Sequence, residues 1–398
     1  MNKATFAPFA KPLYVMLKPI GAACNLKCTY CYYLETKELY THERNYKLSD
    51  EMLETFIAQY MESQTMAPVL FTWHGGEPLL RDIGFYKKAL KLQKKYGKGR
   101  PIDNTLQTNG TLLTDEWCHF FKENNILIGI SIDGPQRFHD KYRKMNNDAP
   151  TFDRVMRGIQ LLKKHGVEYN IMGVVNNYNI DYPLEFYNFF KQIDSHYIQF
   201  APIVETYPNG EVTEWSVTPE KWGDFLIAIF DEWVRKDVGS YYVQYFDAAL
   251  ANWMNVPPGV CIFAENCGHA GVMEFNGDVY TCDHFVRPEH KLGNIKDKTL
   301  TEMMYSKQQI DFGLDKSKGL AFKCKQCKYR FACHGECPKN RISKTADGEK
   351  INYLCAGYYK FFKHIEPYMD FMKKELDAKR APANIMWNLD KIERIIPL

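Results

Sequence analysis

The chain has 398 residues, of which 45% are hydrophobic and 25% charged, and a formal net charge of +3. These values are typical of a soluble globular protein with room for two or three domains. Because the sequence has no long basic run and no apolar segment that could span a bilayer, we expect neither a nucleic-acid partner nor a membrane. The absence of a signal-peptide pattern predicts a cytoplasmic protein. In that reducing compartment, a chain with 12 cysteines is expected to use them as metal ligands rather than as a disulfide framework.

Short apolar runs alternate with amphipathic helical patterns from residue 13 to about residue 205. The runs are flanked by Gly, Pro, Asn or Asp and predict strands, and Ser49 and Thr114 are typical N-caps of two intervening helices. The predicted strands cover residues 13–17, 69–73, 104–107, 127–132, 170–175 and 197–200. Six such units cannot close an eight-stranded barrel, so we predict an α/β fold with a partial (β/α)6 barrel whose reactive residues follow the strands.

Three cysteines follow the first predicted strand in the segment Cys24-Asn-Leu-Lys-Cys28-Thr-Tyr-Cys31. Three thiolates can hold three irons of a four-iron cluster and leave the fourth iron open for a substrate or cofactor. A zinc knuckle and a disulfide staple are the alternatives, although zinc sites usually pair CxxC with a second pair of ligands. The segment resembles the cluster motif of radical S-adenosylmethionine enzymes.

That resemblance implies S-adenosylmethionine as cofactor, bound to the open iron and cleaved by an electron to a 5'-deoxyadenosyl radical. Segments at the predicted strand ends agree with it, among them Gly75-Gly76-Glu77-Pro78 after the second strand. The family implies cofactor contacts at Tyr30, Gly76, Ser131, Arg143 and Val204. Arg143 is the natural partner of the methionine carboxylate because a guanidinium binds carboxylates in a fork, and a surface ion pair is its alternative role.

A helical stretch over residues 219–235 carries an apolar stripe typical of core packing, and after it the cysteines become dense. We therefore predict a barrel with its following helix over residues 1–235, a cysteine-rich domain over residues 236–375 and a C-terminal tail over residues 376–398. One cysteine, Cys118, belongs neither to the N-terminal motif nor to this dense group. It lies in a helical pattern between Trp117 and Phe120, which predicts a buried, inert thiol.

Eight cysteines lie between residues 261 and 355, and their spacing resembles the SPASM extension of radical peptide-modifying enzymes. Eight thiolates are the number that ligates two four-iron clusters completely, although two zinc ions could use the same residues. The family implies two ligand sets. They are Cys261, Cys267, Cys282 and Cys337 for the first auxiliary cluster and Cys324, Cys327, Cys333 and Cys355 for the second.

Asp283 directly follows Cys282, so any cluster bound at Cys282 has this carboxyl group beside it. In anaerobic sulfatase-maturating enzymes an Asp follows this cysteine and is assigned as the base that deprotonates the substrate. The resemblance therefore implies that Asp283 is the catalytic residue. A carboxylate that only supports the cluster ligand is the alternative, and His284 is a weaker candidate for the base.

The resemblance to that enzyme family extends from Leu13 to about Tyr368. It implies oxidation of a Cys or Ser in an unfolded sulfatase to Cα-formylglycine, with surplus electrons leaving through the auxiliary clusters. The implied cofactors are S-adenosylmethionine and three 4Fe-4S clusters, and the implied partners are the unfolded sulfatase and a reduced flavodoxin or ferredoxin-type electron donor. Tyr33, Asp133 and Gln199 are candidates for the peptide groove.

Two other functions remain open at this point. A related SPASM enzyme could form thioether or carbon-carbon crosslinks in a peptide. A non-catalytic iron-sulfur or zinc scaffold protein could use the same cysteines, and it would not cleave S-adenosylmethionine.

Iron content tests the cysteine assignment. Replacing Cys24, Cys28 and Cys31 together by Ala removes every protein ligand of one cluster, so we expect bound iron to fall from about 12 to about 8 atoms per chain after anaerobic reconstitution. Cleavage of S-adenosylmethionine, followed as 5'-deoxyadenosine, should be lost as well. Cys118→Ala should retain both properties, and an unchanged iron content in the triple variant would contradict the assignment.

Overall fold

The computed structural model describes residues 13–43 and 45–393. The strands are β1 (Tyr14–Leu17), β2 (Val69–Trp73), β3 (Ile102–Thr108), β4 (Ile126–Ser131), β5 (Tyr169–Val175), β6 (Tyr197–Pro202), β7 (Tyr242–Val243), β8 (Ala270–Met273), β9 (Asp278–Tyr280), β10 (Lys291–Asn294), β11 (Ser343–Lys344) and β12 (Lys350–Ile351). The α-helices are α1 (Tyr33–Leu39), α2 (Asp50–Ser63), α3 (Ile83–Gly97), α4 (Asp115–Glu123), α5 (Gln136–Tyr142), α6 (Phe152–His165), α7 (Pro183–Gln192), α8 (Pro219–Lys236), α9 (Gln244–Trp253), α10 (Leu300–Met304), α11 (Lys307–Lys318), α12 (Phe322–Lys325), α13 (Arg330–Cys333), α14 (Cys355–Asp377) and α15 (Leu389–Glu393).

The six strands predicted from the sequence are β1 to β6, and their ends differ from the predicted ends by at most two residues. The predicted N-caps are also present, because Ser49 Oγ accepts a hydrogen bond from Met52 N–H and Thr114 Oγ1 accepts one from Trp117 N–H. Cys118 on α4 is fully buried, as predicted. Among the described residues, no helix is long and apolar enough to cross a lipid bilayer.

The described residues divide into two structural units. The first unit contains residues 13–131, 139–169 and 267–314, and its sheet has the strand order β10-β9-β8-β1-β2-β3-β4. Strands β1 to β4 run parallel, and β8 pairs in parallel with β1 so that Leu17 lies opposite Met273. The chain segments that follow β1, β2 and β8 therefore leave the sheet at the same edge.

The second unit contains residues 132–138, 170–266 and 315–393, and in it β5, β6 and β7 form parallel pairs. Its core includes the buried stripe of α8, where Trp222 packs against the rings of Phe225, Tyr245 and Tyr358. The two units interleave along the chain. The domain boundaries at residues 235 and 375 stay predictions, and the outermost parts of those segments, residues 1–12 and 394–398, lie outside the described residues.

Helices α8 and α14 approach each other closely at two glycines. A Cβ atom on Gly223 would lie 2.8 Å from the carbonyl oxygen of Gly357, and one on Gly357 would lie 2.1 Å from the carbonyl oxygen of Pro219. Both distances are shorter than van der Waals contact, so the two helices can cross this closely only because glycine has no side chain at either position.

Gly223→Ala should therefore destabilise the protein. Overpacking of a core contact costs about 1–3 kcal/mol, which exceeds the gain of up to about 1 kcal/mol in helix propensity. We expect a lower melting temperature in anaerobic thermal unfolding. Lys221→Ala, at an exposed position of α8 two residues before Gly223, should leave the melting temperature nearly unchanged. A stabilised Gly223→Ala variant would contradict the close crossing.

Candidate functional site

The three cysteines of the N-terminal motif lie between β1 and α1 in the first unit. Cys28 is buried, Cys24 and Cys31 are half-buried, and none of them forms a disulfide. Leu26 N–H donates a hydrogen bond of 3.3 Å to Cys24 Sγ. Burial raises the pKa of the Cys24 thiol to about 12, and the Glu77 carboxylate and the other two thiols act in the same direction.

This donor set fits a metal cluster. Three neighbouring thiols are costly to ionise unless a cation compensates their charge, and a cluster iron provides that compensation. No three His, Cys, Asp or Glu side chains within residues 13–43 and 45–393 surround a position for a single metal ion. A four-iron cluster instead binds each thiolate at a separate iron.

The Gly75-Gly76-Glu77 turn after β2 packs against the cysteine loop through backbone contacts. Gly76 N–H donates to Gly21 O at 2.8 Å, and Glu77 N–H donates to Ala23 O at 2.9 Å. A Cβ atom on Gly76 would lie 2.2 Å from Ala23 O, a distance that no side chain tolerates. The predicted cofactor contact Gly76 is therefore required for the close approach of these two loops.

Glu77 joins this turn to the end of β3. Its carboxylate accepts hydrogen bonds from Leu79 N–H at 2.9 Å, from Thr108 Oγ1 at 2.8 Å and from Asn109 N–H at 2.8 Å. Asn109 Nδ2 in turn donates to Asn25 Oδ1, beside the first cysteine. Burial raises the pKa of Glu77 to about 7 even though the three donors oppose this shift.

Three of the other predicted cofactor contacts also lie in the first unit. The segment that contains Arg143 pairs with the cysteine loop, since Lys27 N–H donates to Lys144 O and Thr29 N–H donates to Tyr142 O. The Arg143 guanidinium lies 5.6 Å from the ring centroid of Tyr30. Ser131, at the end of β4, accepts a hydrogen bond of 3.0 Å from Gln107 Nε2.

Val204 belongs to the second unit. It is buried, and its carbonyl oxygen accepts a hydrogen bond of 3.3 Å from Lys339 Nζ. The groove candidates divide in the same way. Tyr33 lies in the first unit, whereas in the second unit Asp133 accepts a hydrogen bond from Val174 N–H and Gln199 is half-buried on β6.

Three side chains from the N-terminal part of the first unit bind the Asp283 carboxylate. Lys18 Nζ forms an ion pair of 2.7 Å with Oδ1, and Tyr32 donates a hydrogen bond of 2.5 Å to Oδ2. Tyr33 donates to the same carboxylate at 3.1 Å. His284 completes the surroundings, because its ring lies 5.0 Å from that of Tyr32. Tyr32 follows Cys31 and Asp283 follows Cys282, so this contact links the two cysteine arrays directly.

The electrostatics of the site keep Asp283 ionised. Burial by itself raises the pKa of this carboxyl group, but the Lys18 ammonium reverses the effect and holds the pKa well below its usual range. Burial lowers the pKa of the His74 ring, which favours its neutral form. Gly75 N–H donates to His74 Nδ1 at 2.8 Å, which places the proton of the neutral ring on Nε2.

Lys18 has a second carboxylate partner. Its Nζ atom donates to Glu274 Oε1 at 2.9 Å, and both side chains are fully buried. Burial lowers the pKa of the Lys18 ammonium, but Asp283 and Glu274 outweigh it, so the pKa is raised. The sequence assigned no role to Lys18 or Glu274. The available signal was their position, because each directly follows a strand and the two strands are paired.

The auxiliary cysteines occur in both units. In the first unit, Gln309 Nε2 donates to Gly268 O and Thr281 O, the carbonyl groups next to Cys267 and Cys282. In the second unit, burial raises the pKa of the Tyr245 hydroxyl group, and the nearby Glu336, Cys337 and Cys261 act in the same direction. The four ligands predicted for the second auxiliary cluster also meet there. Burial raises the pKa of Cys333 to about 12, with Cys324 and Cys355 contributing, and Cys327 contributes to the same shift at Cys355.

Glu77 provides a test of how the first site is held together. In Glu77→Gln an amide NH₂ replaces one carboxylate oxygen and faces an N–H or O–H donor, so we expect a loss of about 1–3 kcal/mol in the free energy of unfolding. Bound iron should fall with it. Anaerobic denaturant titration and iron analysis measure the two effects.

Glu54→Gln is the matched control, because Glu54 accepts hydrogen bonds from Lys95 and Tyr96 at the exposed surface. It should leave both the unfolding midpoint and the iron content unchanged. Equal effects of the two substitutions would show that Glu77 has no special part in this site.

Comparisons with known proteins agree with this geometry. Residues 19–190 match the Radical SAM superfamily, and residues 267–328 match an iron-sulfur cluster-binding domain. The serine-type anaerobic sulfatase-maturating enzyme of Bacteroides thetaiotaomicron is 62% identical over 97% of each chain. The cysteine-type enzyme of Clostridium perfringens strain 13 is 33% identical, over 89% of this chain and 97% of its own.

A solved structure, anSMEcpe with bound AdoMet and the Cp18Cys peptide, is 32% identical and superposes with a TM-score of 0.83 over 92% of this chain and 100% of its own. The similarity confirms the fold class, the family and the type of enzyme predicted from the sequence. This chain belongs to the anaerobic sulfatase-maturating enzymes, a family within the radical S-adenosylmethionine superfamily.

Proposed function

We propose that this protein oxidises a serine of an unfolded sulfatase to Cα-formylglycine and that Asp283 accepts the proton of the serine hydroxyl group. The observation that supports Asp283 most directly is its hydrogen bond with Tyr32, which joins the acid after Cys282 to the residue after Cys31. A base placed there lies beside the cysteine loop. A general base must be within hydrogen-bond reach of the proton that it takes.

Cys24, Cys28 and Cys31 are the proposed ligands of the cluster that binds S-adenosylmethionine. Cleavage of S-adenosylmethionine supplies the radical that takes a hydrogen atom from the substrate carbon. Tyr30, Gly76, Ser131, Arg143 and Val204 are the proposed contacts of this cofactor. The eight cysteines from Cys261 to Cys355 are the proposed ligands of two auxiliary 4Fe-4S clusters, in the two sets that the family implies.

Protein side chains orient the proposed base and accept the substrate proton. Lys18, Tyr32 and Tyr33 donate to Asp283 and fix the direction of its carboxylate. Ionised Asp283 can accept one proton from the substrate hydroxyl group. Loss of that proton and of one hydrogen atom and one electron from the side-chain CH₂OH leaves an aldehyde, so a serine needs no hydrolysis step.

The preference for serine rests on sequence similarity. The chain is 62% identical to a serine-type enzyme and 33% identical to a cysteine-type enzyme, with nearly complete coverage in both cases. Differences that separate the two types are more numerous between distant relatives than between close ones. We therefore assign this chain to the serine type.

We further propose a reduced flavodoxin or ferredoxin-type protein as electron donor and the cytoplasm as location. Reductive cleavage of a sulfonium requires a low-potential one-electron donor, and cluster cysteines persist in a reducing compartment. The division into a barrel segment ending near residue 235 and a cluster-binding segment ending near residue 375 is part of the same proposal.

Asp283→Asn tests the proposed base. The amide is close in shape but cannot accept the proton, so formylglycine formation from a serine-containing sulfatase peptide should fall about 10²- to 10⁴-fold. Release of 5'-deoxyadenosine should continue. Anaerobic assays that follow peptide mass and 5'-deoxyadenosine in the same reaction distinguish the two steps, and the wild type should oxidise the serine peptide faster than its cysteine counterpart.

Asp237→Asn is a matched control. Asp237 is also buried and also accepts hydrogen bonds from a lysine and a tyrosine, Lys191 at 2.8 Å and Tyr187 at 2.9 Å. This variant should oxidise the peptide at the wild-type rate. Full activity of Asp283→Asn would reject Asp283 as the base, and 5'-deoxyadenosine without any peptide oxidation by the wild type would reject the sulfatase as substrate.

A further inference from the structure

The cysteines proposed to bind the second auxiliary cluster lie near the surface of the second unit. All four are half-buried: Cys324, Cys327, Cys333 and Cys355. The short helices α12 and α13 carry the first and the third of them. Arg330 N–H donates to Cys327 O at 3.1 Å, and Arg330 Nη1 donates to Lys325 O at 3.2 Å. The two helices and their exposed side chains are therefore neighbours on one face of this unit.

This part of the chain is rich in positive charge. Residues 316–335 contain six Lys or Arg residues and no Asp or Glu. Three of these cations, Lys323, Lys325 and Arg330, are exposed and form no ion pair with any described residue. They flank Cys324 on both sides and begin the helix that ends at Cys333, so their charge surrounds the proposed cluster ligands.

Two carboxylates approach the same face from elsewhere in the chain. Glu366 forms an ion pair of 2.6 Å with the exposed Lys328. Glu349 accepts a hydrogen bond of 2.8 Å from Phe322 N–H, at the start of α12. Two negative charges against four exposed cations leave the face positive, and only one of the four cations is paired.

Two large apolar side chains are exposed among these cations. The Phe322 side chain is 60% exposed and that of Phe331 is 43% exposed. Exposed apolar groups with a polar rim are typical of protein interaction sites, in which aromatic residues and Arg are enriched. We call these two residues, with Lys323, Lys325 and Arg330, the basic aromatic surface.

The chemistry beneath the basic aromatic surface indicates the kind of partner. An electron passes between two proteins where a redox centre lies close to their interface, and such interfaces are small, below about 1,200 Å² in total. A positive surface attracts and orients an acidic protein. A nucleic acid would also be attracted by cations and aromatic rings, but it would not explain why they surround cluster ligands.

We infer that the basic aromatic surface docks an acidic one-electron carrier protein beside the second auxiliary cluster. The inference rests on the proposed function. Oxidation of the serine CH₂OH group to an aldehyde releases two electrons and two protons. One of each leaves as the hydrogen atom that the radical takes, and the second proton goes to the proposed base. The remaining electron reduces the oxidised carrier by one electron, and no bond forms between the two proteins.

Binding of purified carriers to the iron-loaded full-length protein tests the inference. The probes are an oxidised flavodoxin and an oxidised 4Fe-4S ferredoxin, both acidic, and Kd is measured anaerobically by fluorescence anisotropy of the labelled carrier. We expect at least one of them to bind. Its Kd should rise at least about tenfold between about 0.05 and about 0.3 M salt, because salt screens exposed charges.

The variant Lys323→Glu/Lys325→Glu/Arg330→Glu reverses the charge of the surface. We expect its Kd for the carrier to rise at least about tenfold at the lower salt concentration. Bound iron is measured in the same samples. If the reversal lowers bound iron, the neutral variant Lys323→Gln/Lys325→Gln/Arg330→Gln takes its place, with an expected rise in Kd of at least about threefold.

A matched control changes the net charge of the protein equally at another basic helix. Lys87, Lys91 and Lys94 are exposed on α3 of the first unit, and none of them has an ion-pair partner among the described residues. The variant Lys87→Glu/Lys91→Glu/Lys94→Glu should keep the wild-type Kd for the carrier.

Phe322→Ala tests the apolar part of the surface. We expect Kd to rise about fivefold at both salt concentrations, because the contact of an aromatic ring is not screened by ions. Met66→Ala is its control, since it removes a side chain of the first unit that is 59% exposed. This control should bind the carrier as the wild type does.

The outcomes separate this inference from the proposed function. It is overturned if neither carrier binds the wild type, if the charge-reversed variant binds normally, or if the α3 variant loses binding equally. A dimer in analytical ultracentrifugation that charge reversal abolishes assigns the surface to a second copy of this chain and also overturns it. Carrier binding as expected, with no formylglycine formed by the wild type and dithionite, overturns the proposed function and retains the docking surface.

Discussion

The candidate site depends on one buried cation, the Lys18 ammonium between Asp283 and Glu274. A fully buried ammonium is stable only when carboxylates and hydrogen bonds replace its hydration, and here two carboxylates do so at 2.7 and 2.9 Å. Loss of one partner from a buried ion pair costs about 3–5 kcal/mol, because it leaves a charge without compensation. The ends of β1 and β8 and the turn after Cys282 are therefore tied together by electrostatics.

A second constraint acts on the cysteine loop, and it is steric. Gly76 lets the turn after β2 approach so closely that backbone groups of Gly21 and Ala23 accept its hydrogen bonds. Glu77 then satisfies donors at the end of β3 with its buried carboxylate. Both constraints follow from parallel strands that end at one edge of the sheet, since only there can loops from distant parts of the sequence share polar partners.

The same contacts also set the charge of Asp283. The low pKa of Asp283 reflects the stabilisation of its ionised form by Lys18. The same stabilisation opposes protonation. Tyr32 and Tyr33 donate hydrogen bonds that fix the position of the Asp283 carboxylate, and the Lys18 ammonium stabilises its charge.

Much of this protein could be predicted from short-range patterns. The six strands β1 to β6 followed from apolar periodicity, and the N-caps Ser49 and Thr114 followed from local hydrogen-bond chemistry. The spacing of Cys24, Cys28 and Cys31 predicts a cluster, and Asp283 is a predicted base because an Asp follows the corresponding cysteine in the family that the sequence resembles. In each case the pattern lies within a few residues, so the prediction did not need tertiary structure.

The sequence by itself therefore determined the class of fold, the family and the types of cofactor ligand. Only the tertiary structure decided which groups surround the proposed base. Lys18 and Glu274 are 256 residues apart, and Tyr32 and Asp283 are 251 residues apart. No local pattern joins such residues. They are brought together because β8 adds to the sheet beside β1, and once buried their charges must be compensated within a few ångströms.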